Sequence, residues 1–247
     1  MGETLCMLVH GEEGVGKSVL GQTSPAPRLV LDAEGGSRRP MRFVDGKMVR
    51  QRKIDWDPTQ DEPPVDDGTW DSCNVIVSNY GVIEKAYAWL NSGKHPFRSV
   101  VMDSLTEVQK RCKDAISGSE TPTERDWGLL LIKLEFLVRG FRDLVFHPTH
   151  PLEAVVLLAL THEKGGKRRA AVQGALGVSL PGYVDLEGYE FVTVDESGNE
   201  TRKLLIAPRD GFAAKDRTHT LSQHYGPAIS NPDVEAMLSV LNSEENA

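Results

Sequence analysis

Gly11-Glu12-Glu13-Gly14-Val15-Gly16-Lys17-Ser18 follows directly on an apolar stretch at residues 4–9, and the reading of this turn decides the fold. It satisfies G-x-x-x-x-G-K-[ST] where a strand would hand over to a helix. The glycines let the backbone curl so that successive N–H groups point into one hollow, and the helix that follows adds its positive end. A hollow of that kind fits a polyphosphate. In this reading residues 11–18, with Val19 behind them, hold the nucleotide. Lys17 reaches the β and γ phosphates as a point charge, and the Ser18 hydroxyl ligates Mg²⁺. The bland alternative is a fortuitous glycine turn.

A magnesium-nucleotide site needs a second acid at the end of a neighbouring strand, because the metal is held through water at the carboxyl edge of the sheet. Ser99-Val100-Val101-Met102-Asp103-Ser104 supplies one, with Asp103 closing an apolar run. Hydrolysis also requires a group that orients and deprotonates the attacking water. Leu31-Asp32-Ala33-Glu34, at the end of the next apolar run after the turn, offers two candidates.

Further out, residues 29–31, 75–77, 100–102 and 155–160 are short apolar runs like the first. Runs that are hydrophobic on both faces mark central parallel strands. Between them lie helical patterns, the clearest at residues 121–145. There Thr121, Pro122 and Glu124 read as a capping box with proline at the first helical position, and apolar residues from Trp127 to Val145 recur at steps of three and four. Alternating strands and helices predict an α/β fold with a mainly parallel sheet flanked by helices. Near the C-terminus, residues 190–194 and 202–207 around a polar turn predict an antiparallel β-hairpin at the sheet edge.

One segment breaks the pattern. Residues 36–53 hold seven basic side chains against one acid, and residues 54–72 hold seven acids and no base, with Pro58, Pro63 and Pro64. This reads as an insertion at about 36–73 projecting from the core, its basic arm a hairpin turning at Asp45-Gly46. Two readings stand for that arm: a solvated loop whose halves neutralise each other, or a nucleic-acid contact.

The 247 residues suit one enlarged domain over 1–247, and 39% hydrophobic residues with 26% charged are the composition of a globular chain. A net charge of −8 excludes a polycation that coats nucleic acid by bulk attraction, so any nucleic-acid site must be local. Cys6, Cys73 and Cys112 lie far apart and form no C-x-x-C pair, which argues against a disulfide framework or a zinc site and fits a reducing cytoplasm. The apolar run at 154–160 is too short to span a bilayer, and no basic segment precedes an apolar stretch at the N-terminus. Neither a membrane span nor an export signal is expected.

Taken together, GEEGVGKS, LDAEGG, VVMDS, LLALTHEKGG and AAKDR resemble RecA/KaiC-type ATPases over residues 4–218. The likeness is greatest to compact RecA-like proteins encoded by phages and linked to single-strand annealing and recombination. It implies a RecA-like core that hydrolyses ATP with Mg²⁺. Asp-Ala-Glu looks like the catalytic-glutamate segment of that core, which makes Glu34 the expected general base and leaves Asp32 a structural part. The resemblance also implies that a polar residue after the strand ending in Ala159-Leu160 senses the γ-phosphate, a position taken by Thr161 and His162, with His162 preferred. The basic, glycine-containing stretch after it then matches a DNA-binding loop through Lys164, Lys167, Arg168 and Arg169. It carries no aromatic side chain for base stacking, which predicts weak sequence preference and strong salt sensitivity. Lys215-Asp216-Arg217 looks like the finger by which such subunits reach a neighbour's active site, where a cation on the γ-phosphate accelerates hydrolysis on the order of 10³- to 10⁵-fold. Lys215 and Arg217 therefore imply a homo-oligomer, either ring or filament.

The expected function is an ATP-dependent single-stranded DNA-binding protein of recombination, annealing or repair, with single-stranded DNA and a single-strand binding protein as partners. Two rivals use the same turn: a nucleotide or small-molecule kinase, and a KaiC-like regulatory module without a DNA function.

Overall fold

The computed structural model describes residues 2–44 and 47–244. Its strands are β1 (Leu5–Gly11), β2 (Arg28–Asp32), β3 (Met41–Val44), β4 (Lys47–Arg50), β5 (Lys53–Asp55), β6 (Ser72–Ile76), β7 (Ser99–Asp103), β8 (Ala154–Lys164), β9 (Lys167–Ala170), β10 (Leu186–Val194), β11 (Glu200–Leu205), β12 (Lys215–Asp216) and β13 (Ala228–Ser230). The helices are α1 (Lys17–Gly21), α2 (Tyr80–Asn91), α3 (Leu105–Ser117), α4 (Glu124–Asp143), α5 (Leu176–Tyr183), α6 (Thr220–Tyr225) and α7 (Val234–Glu244).

Seven strands run parallel in the order β5-β6-β2-β7-β8-β1-β10. All five apolar runs of the sequence are among them. Alternate side chains of these strands enter two separate cores. Cys6, Leu8, Leu31, Met102 and Leu157 pack with α2, α3, α4 and α5, whereas Met7, Val9, Val30, Val101 and Leu158 pack with Leu20 of α1 and Met237 and Leu241 of α7. Burial on both faces is why the strands read as unbroken apolar runs, since each buried aliphatic side chain contributes about 1.5–3 kcal/mol. Among the described residues no helix is long and apolar enough to cross a membrane.

The C-terminal hairpin is present, with β10 and β11 antiparallel and β13 beyond them. Its first strand begins earlier than expected. Residues 186–190 of β10 pair parallel with β1, so the hairpin grows out of a central strand rather than being added to the edge.

Helix α4 starts later than the sequence reading placed it. Its cap is Thr123: Thr123 Oγ1 accepts from the Asp126 amide at 3.3 Å, and Asp126 Oδ2 accepts from the Thr123 amide at 2.8 Å. Two Thr-x-x-acid patterns overlap here, and the second closes the reciprocal pair and leaves Pro122 outside the helix. Leu130, Leu134, Leu137, Val138 and Phe141 form its buried stripe, while Trp127 stays 41% exposed. Thr123→Ala is expected to lower unfolding free energy by about 1 kcal/mol in denaturant titration, whereas Thr121→Ala should change it by less than about 0.5 kcal/mol.

Residues 36–73 do not project as one unit. Strands β3 and β4 form the expected hairpin apart from the main sheet, its Asp45-Gly46 turn lying outside the described residues. The acidic half instead folds back, because its two tryptophans are too large and apolar to leave in water. Strand β5 joins the sheet edge, and Trp56 and Trp70 are buried against Phe97, with ring centroids 5.8 and 6.2 Å away. The basic half is anchored too: Arg42 of β3 binds Asp233 at 3.0 Å and Glu235 at 2.8 Å.

Candidate nucleotide-binding site

Strand register gathers the expected residues at one edge of the sheet. Gly11 at the end of β1 lies level with Leu160 of β8 and Glu190 of β10, and Asp32 at the end of β2 lies level with Asp103 at the end of β7. All lie at the carboxyl edge of the parallel pairing, where open α/β sheets bind ligands.

The turn itself has the backbone that its glycines permit. Gly14 and Gly16 have φ of 78° and 117°, a region that L side chains avoid. Lys17 is buried, and its Nζ donates to the carbonyls of Gly11 at 3.0 Å and Glu12 at 2.7 Å. No side chain caps the first turn of α1, so its amides remain available to an anion. Burial lowers the Lys17 pKa, while Glu190, Glu34, Asp103 and Glu12 act to keep the ammonium charged.

Ser18 Oγ donates to Asp103 Oδ2 at 2.6 Å, joining the two expected metal-holding groups. Burial pushes the Asp103 carboxyl up to about 6; the Ser18 bond opposes this, the charges of Glu34 and Asp32 add to it, and Lys17 opposes it. A hydroxyl and a carboxylate in contact, both hard oxygen donors, fit Mg²⁺. When bound, the ion would neutralise phosphate charge.

Glu34 is exposed beside this pair, and its Oε1 accepts a hydrogen bond from Ser104 Oγ. Ser104 is also the N-cap of α3, so the hydroxyl that holds Glu34 is fixed by a helix start. Asp32 is structural as expected. Its buried carboxylate accepts from the amides of Gly35 at 2.6 Å, Gly36 at 3.2 Å and Ser37 at 3.0 Å, which sets the bend that carries Glu34.

Strand β8 continues past the turn. Thr161, His162, Glu163 and Lys164 pair with Ala170, Arg169, Arg168 and Lys167 of β9, so the stretch expected as a flexible loop is a β-hairpin closed by Gly165 and Gly166. His162 lines a cavity of about 440 Å³ with Lys110, Lys164 and Arg169, and its Nδ1 is buried without a partner. Arg168 is not free: its guanidinium lies 5.5 Å from the Phe212 ring centroid and donates to Tyr189 Oη at 3.3 Å. The hairpin thus meets aromatic rings from other segments, although it contains none.

Lys215 and Arg217 are not brought to this site. Lys215 is level with Glu187, three residues before Glu190 along β10, and its Nζ donates to Val184 O at 2.9 Å. Arg217 donates to Gly182 O at 2.6 Å, its side chain 52% exposed.

The sequence reading missed three side chains beside the turn. His10 is fully buried, its Nε2 2.8 Å from Ala213 O and its Nδ1 3.1 Å from Thr161 Oγ1; burial, above all, pushes its pKa down to about 4. Glu190 and Arg202 flank Gly16. Only the interruption of an apolar run by a polar residue hinted at His10 and Glu190.

A family model described as AAA domain matches residues 3–218. Comparison with curated proteins gives no match.

Proposed function

The chain belongs to the AAA domain family, with an ATPase-type P-loop domain, and from that premise we propose that it is a RecA-like, Mg²⁺-dependent ATPase. Its ATP-bound form binds single-stranded DNA in recombination, annealing or repair. One observation carries the reading. The strand beside the phosphate turn runs on into a hairpin that bears Lys164, Lys167, Arg168 and Arg169, with the turn, Asp103 and Glu34 at its foot.

Lys17 grips the phosphates, Ser18 and Asp103 hold Mg²⁺, and Glu34, aimed by Ser104, takes the proton of the attacking water. His162, between the sheet edge and Lys164, carries the state of the γ-phosphate to the hairpin. Lys215 and Arg217 donate to Val184 O and Gly182 O rather than to groups of their own turn, and in this reading they serve a neighbouring subunit in a head-to-tail assembly.

Binding of an oligothymidylate should weaken steeply with salt. Four phosphate contacts give a slope of about −3 in log K against log[salt], or about 50-fold between 50 and 200 mM. ATP turnover should rise on adding this DNA, and specific activity should rise with protein concentration. Turnover indifferent to DNA, with no binding at 50 mM salt, would leave a kinase or a regulatory module as the better reading.

A further inference from the structure

Glu190 is 0% exposed, and neither of its carboxyl oxygens has a hydrogen-bond partner. A buried carboxyl without donors is costly when ionised. Its setting is specific to the phosphate turn. Glu190 lies opposite Gly11 in register, and a Cβ added at Gly16 would stand 3.1 Å from Glu190 Oε1 and 2.7 Å from Arg202 Cδ. Glu190 and Arg202 therefore flank the last glycine before Lys17.

The charges that face Glu190 are few. They are Lys17 from α1 and Arg202 from β11. Strand β1 contributes Gly11, and β3 contributes Phe43, whose ring centroid lies 4.9 Å from the Arg202 guanidinium. Arg42 of β3 is engaged by Asp233 and Glu235. Arg202 Nη1 is buried and also lacks a partner, so the two charges act on each other through space.

We propose that Glu190 is a positioning residue for the phosphate turn: protonated, it leaves the positive charge of Lys17 and Arg202 to the triphosphate; ionised, it cancels part of that charge. The inference rests on the turn holding a nucleotide and adds a proton to the binding equilibrium. Burial pushes the Glu190 carboxyl up to about 8, against the lowering by Arg202 and Lys17. A bound triphosphate, being negative, raises it further. Nucleotide affinity is therefore fully present below pH 8 and falls as pH rises above it.

The test is calorimetric titration of a non-hydrolysable ATP analogue with Mg²⁺ from pH 7 to pH 9, on the parent protein and on Glu190→Gln. The parent Kd should rise about tenfold over that range. The isosteric amide cannot ionise, so the variant should keep the pH 7 affinity throughout and bind about tenfold more tightly than the parent at pH 9. A side chain that only filled space would not give a gain of affinity. Independently, binding to the parent at pH 8, compared in two buffers of different ionisation enthalpy, should take up about half a proton. Equal slopes in both proteins with binding intact, or no proton uptake by the parent, would overturn the role of Glu190 and leave the nucleotide site standing. No binding by the parent at any pH would overturn both.

Discussion

Glu34→Gln is expected to bind ATP with Mg²⁺ within about threefold of the parent protein and to hydrolyse it about 10²- to 10⁴-fold more slowly. The amide keeps an oxygen that accepts from Ser104, so the side chain stays where the bend fixed by Asp32 puts it. What it loses is the capacity to take a proton. It also loses a negative charge that presses on Asp103, whose carboxyl is held near 6 partly by Glu34, so metal binding should not suffer. Equilibrium binding of a fluorescent nucleotide beside single-turnover hydrolysis separates the two effects. Parental turnover in the variant would remove Glu34 from its role and send the search for the base elsewhere.

Lys17→Ala should act earlier, on binding itself. The ammonium sits beside the carboxyl groups of Glu34, Asp103 and Glu12, with Glu190 protonated near neutrality, and removing it takes away a positive charge that offsets them before a triphosphate. Removing one member of a buried, hydrogen-bonded charge pair costs about 2–5 kcal/mol, or about 30- to several-thousand-fold in affinity. Turnover should fall to background as well. The same nucleotide titration decides: near-parental affinity would mean that the phosphates lie somewhere other than residues 11–18.

What could be read in advance followed from local chemistry. The phosphate turn is legible because its glycines, lysine and serine are contiguous and their spacing has one good physical solution. The five central strands are legible because both faces are buried, and acids at the ends of apolar runs are conspicuous, which singles out Asp103 but leaves Asp32 and Glu34 as two candidates that only the family resemblance separates. The start of α4 was misplaced for an equally local reason, since Thr121 and Thr123 compete for one cap. The parallel half of β10, the joining of β5 to the sheet and the fold-back of Trp56 and Trp70 were not legible. Each depends on which strands become neighbours, and residue spacing along the chain does not specify that. The same holds for His10, Glu190 and Arg202, whose neighbours belong to distant segments brought together by the pairing of β1 with β8 and β10 and of β10 with β11.

The histidine just before the phosphate turn has a mechanical consequence. Its Nε2–H donates to Ala213 O, which holds the stretch that leads into Lys215, and its Nδ1 accepts from Thr161 Oγ1 at the root of the basic hairpin. Those two segments are also stitched directly, the Arg168 amide to Gly211 O and the Ala213 amide to Arg168 O, both at 2.8 Å. Being uncharged near neutrality, the imidazole keeps both bonds through the ordinary working range of pH. Hairpin, strand tip and the approach to Lys215 are thereby bolted into a single stiff lever, and a tilt imposed at one end has to be felt at the other.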